Sequence, residues 1–480
     1  MVGVRVEASG TQVAPRVGLR LLGRFADRVE LGDTLSAAVP CRGERAPVHD
    51  RGEVLVHAGL MLAGGGEACT DVEALAAGGD RAIFTGVCSD STLWRVLDDE
   101  LTPGVVDAVW AAMVKVRAEV WARSAATTGS EPVVLDIDAS LVEVHSENTE
   151  GSAAHYKGGF GFHPMFCFAD ATGEALAAML RRGNAGANSI ADHVAVLDAA
   201  VSQLPAEIAA GHRAGDDPGL VGRVVRVRTD SAGCTDFVSH CRDRNIGFSV
   251  VARTTTAIHG AIHKIHTDAD DAWQPALGTD GRLRDDAFVT ELTDAVDLSG
   301  WPPGTRLIVR REPRHQGAQQ SLFPSEQWRY WGHYTDQKGD PAVLDADMRA
   351  HAHVEQHIAR LKDSGAARVP LHRLRRRRRR ARPRVLGRGP RPLVPAPLPH
   401  RTSHPRQPQS HAPEALPRPR TRRPPRRPSR PPAPRRLARH PHPPRHRHAT
   451  TPTRLTGHAD PTRRRSNPVH RTPKPDQGPE

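Results

Sequence analysis

An abrupt change of composition near residue 371 confines folding to the part of the chain before it. From Leu371 to Glu480 the sequence holds 30 Arg and one Lys against four acids, 26 of the 41 prolines, and no Phe, Tyr, Trp, Ile, Met or Cys. Such a segment cannot bury enough apolar surface to offset the entropy of ordering it, so it is expected to stay disordered. The overall charge of +13 is therefore an average of two unlike polypeptides. The tail carries +27 and residues 1–370 carry −14, so only the tail generates the high pI.

Before the break the pattern is that of a globular protein. Residues 1–128 read as mostly helical, a packing or dimerisation unit or a DNA-binding one. The clearest helix starts at Thr102-Pro103 and repeats Val106, Val109, Trp110, Met113, Val116, Val120 and Trp121 at steps of three and four. From residue 129 strands take over. VVLDIDASL (133–141), FHPMFCFAD (162–170) and EALAAML (174–180) are three strands suited to antiparallel pairing, the last two around the turn Ala171-Thr172-Gly173. A helix follows with Ile190, Val194, Leu197, Val201 and Leu204 on one side, capped by Asn188 or Ser189. VVRVRTD (224–230), a helix from about Thr235 to Arg244, and GFSVVA (247–252) complete the series. Three strands, helix, strand, helix, strand is the order of an RNase H-like α/β core over residues 129–370. Residues 253–340 interrupt it as a β-rich insertion with strands at RLIVRRE (306–312) and QWRYWGHYT (327–335). ADMRAHAHVEQHIARLKDSG (346–365) returns to helical spacing, with Gly365 as its C-cap.

The first strand carries a chemical problem. Side chains alternate along a strand, so Asp136, Asp138 and Ser140 share one face of VVLDIDASL, and a buried ionised carboxylate is costly unless compensated. In this core the first and fourth strands are neighbours, which brings Asp138 towards Asp230 at the end of VVRVRTD. The helix after the insertion can deliver Glu355. Converging carboxylates repel unless divalent cations lie between them, and hard oxygen ligands suit Mg²⁺ or Mn²⁺. Two such ions can activate a water or a 3′-hydroxyl and stabilise the leaving oxygen of an in-line displacement at phosphate.

The stretches LDIDASLVEVHSENTEG (135–151), YKGGFGFHPMFCFAD (156–170), RRGNAGANSIADHVAVLDAA (181–200), RTDSAGC (228–234) and VEQHIARLKDSGAARVPLH (354–372) resemble the DDE-type transposases of bacterial insertion sequences, in the subgroup with a β-rich insertion before the Glu. The similarity covers most of residues 20–372. It implies cleavage of insertion-sequence ends and strand transfer into target DNA, with two Mg²⁺ (or Mn²⁺) held by Asp138, Asp230 and Glu355. Ser140 completes the Asp-x-Thr/Ser motif around Asp138, and Asp136 is implied to be a supporting carboxylate. Lys362, two helical turns beyond Glu355, is implied to contact a phosphate. The partners implied are double-stranded DNA, as terminal repeats and target, and a second copy of the chain when bound to DNA. Met348 and His351 stand where the wider family has a Tyr and an Arg, so its phosphate clamp is altered here.

Weaker candidates have two readings each. His145 and His163 are site or structural histidines. GNAGAN (183–188) is a phosphate loop or a plain cap. Trp301, Trp328 and Trp331 hold a flipped base, as aromatic residues do in relatives that make hairpin ends, or pack a core. The Arg-rich tail is a DNA-binding arm with salt-dependent affinity, or the product of a frameshift near codons 370–375 in GC-rich DNA that removes an apolar helical cover and inactivates the element. A non-catalytic nucleic-acid-binding protein relying on that tail, or a nuclease without strand transfer, is the alternative function. Six Cys without a CxxC pair argue against zinc and for reduced thiols. No signal-like or membrane-spanning run occurs, so a cytoplasmic, nucleoid-associated location is expected.

Overall fold

The computed structural model describes residues 14–41, 47–144, 149, 151–231, 233–268, 270–278, 280–314 and 324–366. The Arg-rich tail and His145 lie outside them. The first part is helical: α1 (Val17–Arg28), α2 (Leu31–Ala38), α3 (Arg51–Ala63), α4 (Asp90–Arg95), α5 (Pro103–Trp121) and the single turn α6 (Ala125–Thr128). Leu35, Val54, Leu60, Val72, Leu75 and Leu93 bury a core of their own there. Helix α5 serves two cores. Val109 and Met113 pack on the helical cluster, while Trp121 joins the core of the sheet. Near its end the buried Arg117 donates to Glu174 at 2.8 Å and to the Gln203 carbonyl at 2.8 Å, which ties the helix to the sheet.

The strands are β1 (Val133–Ala139), β2 (Val142–Val144), β3 (Ala153–Ala154), β4 (Phe160–Phe162), β5 (Met165–Ala169), β6 (Glu174–Met179), β7 (Val225–Thr229), β8 (Gly247–Ala252), β9 (Gln274–Leu277), β10 (Leu283–Glu291), β11 (Arg306–Pro313) and β12 (Trp328–Thr335). Between them run α7 (Ile190–Ser202), α8 (Ala206–Ala209), α9 (Thr235–Asp243) and α10 (Thr256–Asp268); α11 (Pro341–Ala350) and α12 (His353–Leu361) follow. One sheet has the order β6-β5-β1-β7-β8-β12-β11-β10-β9. Within it β1 is antiparallel to β5 and parallel to β7, β5 is antiparallel to β6, and β7 is parallel to β8. That five-strand arrangement is the RNase H-like core. Leu135 and Ile137, fully buried, pack in one cluster with Leu197 and Val201 of α7 and Phe237 and Cys241 of α9.

Three local expectations need correction. FHPMFCFAD does not form one strand. It breaks at His163-Pro164, leaving β5 in the main sheet and β4 in a separate small sheet with β2 and β3. The insertion does not merely interrupt the core: β12 pairs antiparallel with β8, Val251 opposite His333, so β9–β12 prolong the core sheet. The helix expected over 346–365 is two helices, broken at His351-Ala352. Other local readings hold. The Ser189 side chain caps α7 by accepting from the Asp192 amide, and Gly365 has φ +97°, the left-handed conformation of a helix end. Among the described residues all six cysteines are free, and no helix is long and apolar enough to cross a membrane.

Candidate active site

The polar face of β1 meets a different partner at each step. The parallel register sets Asp136 opposite Arg228 of β7. Asp136 is fully buried, and both its oxygens accept from Arg228 (Nε to Oδ1 2.8 Å, Nη2 to Oδ2 2.8 Å). His351 Nδ1 adds a third bond to Oδ1 at 2.9 Å. Burial works to raise the Asp136 carboxyl, but these bonds overrule it and hold it below the usual carboxylate range. Arg228 is itself enclosed, donating also to the Asp347 carbonyl at 2.8 Å and pairing with Asp170 Oδ2 at 2.9 Å.

Two residues along, the balance reverses. Asp138 is half-buried, while Asp230 and Glu355 are exposed. Burial, then the charges of Asp230 and Glu355, push the Asp138 carboxyl up from 3.8 to about 6, against the pull of the Ala139 amide and His351. The register explains the approach of Asp230. Ile137 lies opposite Thr229, so the next residue of each strand is an aspartate at the same level. Beyond them, Lys362 Nζ donates to Ser140 Oγ at 2.6 Å. Burial and Lys157 lower the Lys362 amine, while Asp138 and Glu143 oppose them.

Asp138, Asp230 and Glu355 fit divalent metal by their chemistry. They are hard oxygen donors of one sign, and at Asp138 burial and their mutual repulsion outweigh the pull of His351. Among the described residues, however, no three His, Cys, Asp or Glu side chains stand close enough to grip an ion.

The weaker candidates resolve unevenly. His163 Nδ1 bonds the Ala185 carbonyl at 2.9 Å, and Arg181 Nε donates to the His163 carbonyl at 2.9 Å, so this histidine ties the GNAGAN loop to the strands. A Cβ on Gly183 would lie 2.4 Å from the Ala153 carbonyl oxygen, which accounts for that glycine by packing alone. Trp301 stacks on Tyr334 with centroids 3.9 Å apart. Trp328 lies against the Arg311 guanidinium at 4.5 Å and edge-on to Phe288 at 5.8 Å. Trp331 is 41% exposed, with Arg310 and Arg329 at 5.0 and 4.8 Å from its ring.

The sequence reading missed Arg228 and the pair His193–Ser231. His193 is fully buried, and its Nε2 bonds Ser231 Oγ, next to Asp230, at 2.8 Å. The signal for Arg228 was present: in VVRVRTD, Arg226, Arg228 and Asp230 alternate as Asp136 and Asp138 do in VVLDIDASL.

An RNase H-like sheet with acids at the ends of its two central strands and on a later helix defines a class of nucleic-acid-processing folds. Within it, this chain belongs to the family described as transposase DDE domain group 1, which matches residues 2–381. No protein of curated function matches it. Among solved structures it is similar to a piggyBac transposase in a synaptic complex with hairpin DNA, at 10% identity and a TM-score of 0.33, over 72% of this chain and 67% of that one.

Proposed function

We propose that the chain carries the metal-dependent chemistry of an insertion-sequence transposase, cutting double-stranded DNA at the element's ends and joining them to a target. The observation that carries this reading is the contrast on β1. Asp136 is neutralised inside the fold, whereas Asp138, two residues away, is left among like charges where solvent reaches. Asp138, Asp230 and Glu355 would hold Mg²⁺ or Mn²⁺, which when bound activates the attacking oxygen and neutralises charge at phosphorus. The chain itself positions this chemistry. Lys362, held on Ser140 beside Asp138, is placed to contact a non-bridging phosphate oxygen, and Asp136 and Arg228 keep their strands in register. In each step a new oxygen–phosphorus bond forms from water or a 3′-hydroxyl as the bond to the leaving oxygen breaks. A pair of chains on DNA would present both ends together.

Asp230→Ala tests the assignment. Any Mn²⁺-dependent cutting of a labelled end duplex by the native chain should fall at least about 10³-fold in the variant; equal cutting defeats the assignment. Joined products separate transposition from simple nuclease action.

We read the Arg-rich tail as out-of-frame translation, a reading supported by its surplus of Arg and Pro and its lack of aromatic residues. Another forward frame downstream of codon 370 should then be open. It should encode Leu, Val and Ala at three- and four-residue spacing, with Trp or Phe among them. If neither alternative frame does, the tail is a DNA-binding arm.

A further inference from the structure

We propose that His351 is a positioning residue that fastens the Glu355 helix to the strand bearing Asp138, through its bond to Asp136. The inference rests on Asp138, Asp230 and Glu355 forming the metal-holding set.

His351 stands at the break between α11 and α12, where Ala352 offers α12 no side-chain cap. It is only 7% exposed, and its Nδ1 lies 2.9 Å from Asp136 Oδ1. An ionised carboxylate only accepts hydrogen bonds, so Nδ1 carries the proton and the ring is held in one tautomer. Its Nε2 is buried and makes no hydrogen bond among the described residues, so this bond is the side chain's one polar anchor. Arg228 takes both oxygens of the same Asp136 from β7 and also binds the Asp347 carbonyl of α11. Two strands and the helix pair are thus knotted at one carboxylate.

The knot has a regular relation to the acids. Asp138 lies two residues beyond Asp136 on the same face of β1, roughly 7 Å along the strand. Asp230 lies two residues beyond Arg228, just past the end of β7. Glu355 lies four residues beyond His351, about 6 Å along a helix. Each acid is therefore carried a short, fixed step from one member of the knot. Asp136 and Arg228 fix the two strand acids by the sheet register itself, so His351 is the member that brings in the third.

The test compares His351→Ala, His351→Asn and His351→Gln in the full chain, reading amide hydrogen exchange across 353–361 and Mn²⁺ affinity by electron paramagnetic resonance. Asn keeps an N–H donor near the place of Nδ1; Gln moves it. Expected are faster exchange in α12 and Mn²⁺ binding weakened by about 10-fold or more in His351→Ala, with both restored to within about threefold by Asn and not by Gln. Unchanged exchange in His351→Ala, or Asn no better than Gln, overturns the proposal. If His351→Ala does not fold, the Asn–Gln pair decides alone. Asp138→Asn separates the two ideas: if it binds Mn²⁺ at native affinity, the metal site is misassigned, while exchange in α12 still decides the role of His351.

Discussion

The two halves of the sheet handle buried charge in opposite ways. In the extension, Arg311 is sandwiched by Trp273, Phe288 and Trp328, with ring centroids 4.5, 5.1 and 4.5 Å from its guanidinium carbon. Beside it Arg310 reaches Glu312 and Asp345 at 3.2 and 3.3 Å and the ring of Trp331. Surplus positive charge is absorbed there by carboxylates and aromatic faces already in the fold. Around β1 and β7 the surplus is negative. Arg228 serves Asp136, Asp170 and Asp347, Lys362 rests on a serine, and Asp138 keeps a raised carboxyl. The extension compensates its buried charge within the fold, whereas the acidic half leaves the Asp138 carboxyl raised.

The strongest way to break this contrast is to remove the cation from the acidic half. Arg228→Met leaves Asp136 buried without its main partner and should cost about 3–5 kcal/mol of stability in urea denaturation. A loss under about 1 kcal/mol would mean that the pair is not buried in solution.

In the aromatic half, Trp328→Ala should cost about 2–3 kcal/mol, because it opens the box around Arg311. Trp331→Ala should cost less than about 1 kcal/mol. Equal losses at the two tryptophans would erase the distinction between a packed ring and an exposed one.

A change of sign is the most diagnostic. The folded Asp138 carboxyl titrates near 6 and the unfolded one near 3.8, so the native state binds this proton more tightly. Above about pH 6 both forms are ionised and the fold carries the full penalty; the penalty shrinks as pH falls towards 4. In chelator at pH 7, Asp138→Asn should therefore stabilise the chain by about 1–2 kcal/mol after solvent screening, and by little near pH 4. A loss of stability at pH 7 would show that Asp138 is compensated within the protein. Asp136, whose carboxyl is lowered, loses its contribution only below 3.8, outside this window.

Much of this was legible in the sequence because it is local. The apolar runs of β1, β5, β7 and β8 and the Ser189 cap lie where their patterns put them, and Asp138 and Asp230 fall at matching strand positions. What was not legible depends on register between distant segments. The alternation in VVRVRTD puts Arg228 on the face of Asp230, but only the register sets it against Asp136, 92 residues away. Nothing near Asp136 announces His351, 215 residues away. The break at His351-Ala352 was hidden by a helical periodicity that continues across it. The insertion's strands could be seen, but not which edge they would join.

That edge has a practical consequence. Because β12 supplies the hydrogen-bonding partner of β8, cutting out residues 253–340 would not yield a minimal catalytic core. It would expose the backbone groups of GFSVVA, an apolar stretch of the kind that recruits other chains into aggregates. In the intact chain the raw edge is displaced outward to β9, a short strand carrying Pro275, whose missing N–H makes it a poor template for further pairing. The inserted strands thus double as a guard on the solubility of the core.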